Sequence, residues 1–175
     1  MSDVDASPRA PIEAYLAEGV RALEVGDLTR AETAYRTVVE RRPDRAEGHL
    51  GMATVLLHSG RPADALTCLP AAVEADPSNF DSYELFAFIG IHGGVADTAI
   101  TWLEHGAQFL PREPRLFEYL VRLYAADNRA DDLRQCLVHY GRLRGFGLRQ
   151  AALVFTRDAG LADDLKSRIA IAAGF

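Results

Sequence analysis

Apolar and polar positions recur with a helical period over most of the chain. Amphipathic runs, each long enough for three to four turns, follow one another with short breaks that hold Gly, Asn or Pro. They predict helices in pairs at 12–25 and 28–41, 46–59 and 62–75, 80–93 and 96–109, and 114–126 and 130–142. Pro62 and Pro114 fall at helix starts, where a missing N–H costs nothing. Asp76, Pro77, Ser78 and Asn79 supply turn and capping chemistry ahead of the third pair.

The breaks keep one period. Pro43, Pro77 and Pro111 stand 34 residues apart, as do Gly26, Gly60 and Gly94, with Asn128 on the next rung. Ala31, Ala65 and Ala99 form a third series, ended by Leu133, and Tyr15, His49, Tyr83 and Phe117 a fourth. Tyr35, Leu69, Leu103 and Leu137 make a fifth. One supersecondary unit has been copied and stacked. Within it, Gly supplies a left-handed turn after the first helix. Pro ends the second helix, and Ala sits where the two helices cross.

The ladder resembles the tetratricopeptide repeat. The first copy has Tyr15, Gly19, Ala31, Tyr35 and Pro43; the second Ala53, Ala65, Leu69 and Pro77; the third Tyr83, Ala87, Ala99, Leu103 and Pro111. The fourth keeps Phe117, Tyr124 and Leu137 but has Leu133 and Gly145 in place of Ala and Pro. The resemblance implies an all-α, right-handed α-solenoid of about four helix–turn–helix repeats plus a C-terminal capping helix pair. The expected organisation is a disordered leader at 1–11, repeats at 12–45, 46–79, 80–113 and 114–145, and capping helices at 146–175. In the cap, a helix over 148–159 should end on Gly160, and a second should follow at 162–173. Pro70 lies inside a predicted helix and is expected to kink it.

Composition narrows the function. The net charge of −6 argues against a surface for nucleic acid or anionic membrane. No apolar run approaches the roughly 18 residues of a membrane span. The first eleven residues lack the basic start and apolar stretch of a signal peptide. Cys68 and Cys136 fall two repeats apart, too far for a disulfide, and read as reduced thiols of a cytoplasmic protein. Signatures of phosphate-binding loops, paired-cysteine sites, zinc proteases and nucleophile elbows are absent. Glu24, His58 and His92 recur at one place in successive repeats, but that spacing keeps them from sharing a metal. The chain reads as a non-enzyme with no cofactor and no metal.

The remaining information lies on the first helices, which the resemblance assigns to a concave inner surface. Helical register turns Leu16, Ala17, Val20 and Leu23 inward in the first copy, and Leu50, Gly51, Thr54, Leu57 and His58 in the second. Glu84, Leu85, Phe88, Ile91 and His92 follow in the third, and Glu118, Tyr119, Arg122 and Ala125 in the fourth. Glu13, Glu47 and Asp81 run along one edge. Family members that clamp a peptide's C-terminal carboxylate use Lys, Asn and Arg at positions matching Leu16, Val20, Gly51, Asp81 and Leu85, so that clamp is excluded. An apolar floor with an acidic edge suits an apolar or amphipathic segment of a partner protein. The expected function is therefore a binding adaptor or chaperone. Two alternatives stay open: a chaperone for a secreted substrate, and a self-assembling unit that associates through Ile169, Ile171 and Phe175 at its apolar end.

Overall fold

A computed structural model describes residues 11–174. The expected leader, apart from Pro11, and Phe175 lie outside the described residues. The described residues form ten helices and no strand. They fall into two compact units, Met1–Ser82 and Tyr83–Phe175.

The first unit holds α1 (Ile12–Glu24), α2 (Leu28–Arg41), α3 (Ala46–His58) and α4 (Pro62–Ala75), followed by the start of α5 (Phe80–Gly93). Consecutive helices pack as pairs, and α3 rests on both α1 and α2. The turn between paired helices is the same each time. Gly26 and Gly60 take φ +76° and +71°. The amide after each reaches back to the first helix, Asp27 N–H to Ala22 O at 2.8 Å and Arg61 N–H to Leu56 O at 2.9 Å. This is the left-handed helix stop that glycine adopts without a Cβ penalty. Asp27 also caps α2, accepting from the Arg30 N–H at 3.0 Å. Ala31 and Ala65 have no exposed surface. Pro70 is half-buried, and α4 runs unbroken through it.

One contact in this unit departs from the repeat. The rung filled by Leu69, Leu103 and Leu137 elsewhere is Tyr35 here, 4% exposed. Its ring lies against the backbones of Gly19 and Gly51, so a Cβ on either glycine would approach the ring to under 3.0 Å. The positions one repeat on from these glycines carry Ala53 and Leu85. The larger ring is matched by the two missing side chains.

The second unit continues from Tyr83 on α5 through α6 (Ala96–Phe109), α7 (Pro114–Ala126), α8 (Ala130–Arg144), α9 (Leu148–Thr156) and α10 (Asp163–Ala173). Asn128 takes the glycine's conformation at φ +59°, and Arg129 N–H reaches Tyr124 O at 2.9 Å. Asn therefore serves the fourth rung as Gly does the others. Gly145, at φ +72°, ends α8 two residues beyond its expected limit.

The tail differs from expectation in one respect. α9 stops at Thr156 with Arg157 as its cap, and Gly160 is not left-handed. Asp158 interrupts the helix first: its carboxylate accepts the Gly160 N–H at 2.9 Å, a local turn that competes with helix. α10 then packs on both α7 and α8, as α3 packs on α1 and α2. Arg168 donates to Ala125 O and Ala126 O at 2.9 and 3.0 Å, and Arg134 to Ala172 O at 2.9 Å. Ile169, expected on a self-association face, has no exposed surface: it is core under α10, while Ile171 is 71% exposed.

The tyrosine contact gives a double-mutant test. Gly51→Ala should cost about 1–3 kcal/mol through overpacking, and well under about 1 kcal/mol in a Tyr35→Leu background. Urea unfolding of the four proteins measures the coupling; equal costs in both backgrounds would contradict the size match.

Candidate functional site

In the first unit the expected inner residues form a strip of mixed exposure. Val20 is 49% exposed and His58 is exposed, whereas Leu16, Leu23, Leu50, Thr54 and Leu57 are half-buried. Leu16 and Leu23 also pack against the core of Ala22, Ala31, Tyr35 and Val55. Gly51 is buried under the Tyr35 ring and presents nothing outward. The acidic edge is partly neutralised. Arg45 pairs with Glu13 at 3.4 Å and Glu47 at 3.1 Å, and holds the Glu47 carboxyl below its ordinary range.

The second unit gathers its residues around a cavity. It has a volume of about 620 Å³ and is lined from α5 by Glu84, Phe88, Ile91 and His92, and from α7 by Tyr119 and Arg122. Six of the nine residues expected inward from α5 and α7 meet there; Leu85 is half-buried outside the lining. Phe88 and Ile91 are 47% and 37% exposed. The Phe88 ring lies 4.6 Å from that of His92. Ala125 is fully buried, and Glu118 turns away to accept from the Tyr140 hydroxyl at 3.0 Å.

The charges on this cavity are largely paired. Glu84 binds the Arg115 guanidinium and accepts from the Tyr119 hydroxyl at 2.7 Å. Burial, with this carboxylate beside it, pushes the Tyr119 phenol up. Arg122 pairs with Asp158 at 2.8 Å. Gly160, Leu161 and Ala162, with Leu165 at the start of α10, supply the last wall, and Leu123 and Asp127 complete the α7 side. None of these residues was among those expected to face the groove. Leu161 and Leu165 follow the end of the 34-residue ladder, so no period placed them.

Residues 16–80 match the tetratricopeptide repeat family model. That stretch carries tetratricopeptide repeats. No curated protein matches it. Among solved structures it resembles MamA (TM-score 0.66, 19% identity, 93% of this chain and 89% of that one). It also resembles the Pseudomonas aeruginosa PilF structure (TM-score 0.64, 21% identity, 93% and 71%). A third is YrrB, described as a tetratricopeptide repeat protein with an unusual peptide-binding site (TM-score 0.62, 13% identity, 93% and 86%). At these identities the likeness is one of fold.

Among the described residues, no group of three or more His, Cys, Asp or Glu side chains could hold a metal ion, and no helix is long and apolar enough to cross a membrane. The histidines of the second helices are packing residues. His105 lies edge-on to Trp102, whose indole stacks on Phe86 at 5.1 Å, and His139 donates to Pro111 O at 3.2 Å. A further cavity of about 540 Å³ lies among α6, α7 and α8, lined in part by Cys136, Tyr124 and Glu104. Its polar groups are mostly spoken for: the Tyr124 hydroxyl donates to Glu104 at 2.8 Å, and Arg129 pairs with Glu104 and Asp132. Burial pushes the Cys136 thiol up to about 12, and its Sγ–H donates to Phe117 O at 3.5 Å.

A buried thiol that resists ionisation is a poor nucleophile. Iodoacetamide at pH 8 should label half-buried Cys68 and leave Cys136 unmodified until urea is added. Mass spectrometry reads the outcome; labelling of Cys136 at the rate of Cys68 in the native protein would contradict its burial.

Proposed function

We propose that the protein is a non-catalytic, cytoplasmic protein-binding adaptor or chaperone that holds an apolar or amphipathic segment of a partner on its first-helix faces. The observation that carries this reading is the cavity of the second unit. Phe88 and Ile91 stay exposed beside it although neighbouring residues of α5 are fully buried. Apolar side chains left in water around a concavity favour an occupant. The surrounding charges are engaged with one another and arranged as walls, not as an acid–base pair facing a reacting group. The use of this fold elsewhere agrees: the similar TPR2B domain of yeast Sti1 (TM-score 0.51, 20% identity) was solved as a complex with pHsp70. A chaperone for a secreted substrate is the narrower form of the same proposal.

Of the residues of the self-assembly alternative, Ile169 is buried and Ile171 is 71% exposed, while Phe175 lies outside the described residues. Sedimentation separates the two. The binding reading expects the same mass for wild type and Ile171→Glu across concentration. Association of wild type that Ile171→Glu removes would favour self-assembly.

For binding itself, a pull-down with wild type should recover a partner that Phe88→Glu loses by at least about tenfold, the scale of a buried interface anchor. Leu57→Glu tests the strip on α3 in the same way. Equal recovery by wild type and Phe88→Glu would overturn the assignment of the cavity.

A further inference from the structure

The groups left open on this cavity define the conformation and charge of its occupant; the inference rests on the protein-binding reading above. An extended peptide entering an apolar cleft needs partners for its own N–H and C=O groups. On the α7 side of the cavity they are scarce. The last four carbonyls of α7 are all taken: Leu123 O by Asp127 N–H, Tyr124 O by Arg129 N–H, Ala125 O and Ala126 O by Arg168. Glu84, Tyr119 and Arg122 are paired among themselves or with their neighbours. The first-turn amides of α10 open at one end only, beside the carboxylates of Asp163 and Asp164. A strand laid along the end of α7 would find no free carbonyl there to pair with. A helix satisfies its own backbone and asks the cavity only to bury an apolar stripe.

The charge follows from the same accounting. Glu84 is balanced by Arg115, Asp158 by Arg122, and Asp164 is within 3.8 Å of Arg168. Asp127 lines the cavity, is exposed, and has no side-chain partner among the described residues. It also caps the C-terminal end of α7, where the helix dipole adds negative potential. A cation brought there by an occupant meets both.

We propose that the partner presents this cavity with an amphipathic α-helix that carries a Lys or Arg at the margin of its apolar stripe, seated against Asp127. The apolar stripe lies on Phe88, Ile91 and Leu165, and the cation balances Asp127 on the rim.

Selection of displayed random peptides of about four helical turns' length tests this. The full chain is the bait and Phe88→Glu the counter-selection. Enriched peptides should space apolar residues at i, i+3 or i+4, and i+7, with a basic residue at one fixed flanking position. On Asp127→Lys bait that position should lose its basic preference, and selected peptides should bind the variant about three- to fivefold more weakly, the size of one exposed ion pair. Asp131→Lys makes the same change in net charge on exposed α8 surface outside the lining, and should leave both unchanged. Enriched peptides with alternating or proline-rich patterns, or a basic preference that survives Asp127→Lys, would overturn the inference while leaving the binding site standing. Failure to enrich any peptide on wild type over Phe88→Glu would overturn both. Circular dichroism of each variant confirms that the baits are folded.

Discussion

Everything in this fold depends on how closely two helices of a pair approach at their crossing. Ala31, Ala65 and Ala99 occupy that point with no exposed surface, and a Cβ on Gly90 would collide with Ala99. A small residue at the crossing lets the larger side chains on either side interdigitate. Each fully buried Leu, Ile or Phe then contributes about 1.5–3 kcal/mol. The tight turn of each pair serves the same contact, since it fixes the register in which alanine meets its neighbour. Tyr35 shows how the constraint is met when the volume changes: the ring is larger than leucine, and Gly19 and Gly51 give way to it.

A stacked helix pair leaves an apolar face at its last copy, and something must cover it. Here the ladder is broken at Gly145, α9 is short, and α10 is laid over α7 and α8. Covering the end has a consequence for function. The turn before α10 becomes a wall, bringing Leu161 and Leu165 to the exposed face of α5 and α7. Two interactions hold that wall, Arg122 with Asp158 and Arg168 with the end of α7. The same residues that stabilise the terminus therefore shape the cavity and use up its hydrogen-bonding groups.

The period alone made eight helices legible, because Gly, Ala and Pro each have a physical reason to recur where they do. Exposure on the first helices was legible in part. Register placed Phe88, Ile91, Tyr119 and Arg122 together, but Gly51 and Ala125 are buried, one by a ring from α2 and the other beneath contacts from the tail. The tail itself was not legible in detail. Helical spacing in 162–173 shows an apolar stripe but not which helices it meets, so it left Ile169 open between the cap and a self-association face; it is core. Nothing in the sequence singles out Asp127 or Asp158. Their different roles, one unpaired on a rim and one bonded to Arg122, exist only after α10 has folded back.

The central claim is that the cavity between α5, α7 and the start of α10 receives the partner. Methyl-labelled protein observed by NMR while an amphipathic basic helical peptide is added tests it directly. The account predicts shifts concentrated at Ile91, Leu123, Leu161 and Leu165, with Val25, Val154 and Ile171 unmoved. Largest shifts at Val154 or Ile171, with the four cavity residues silent, would contradict it.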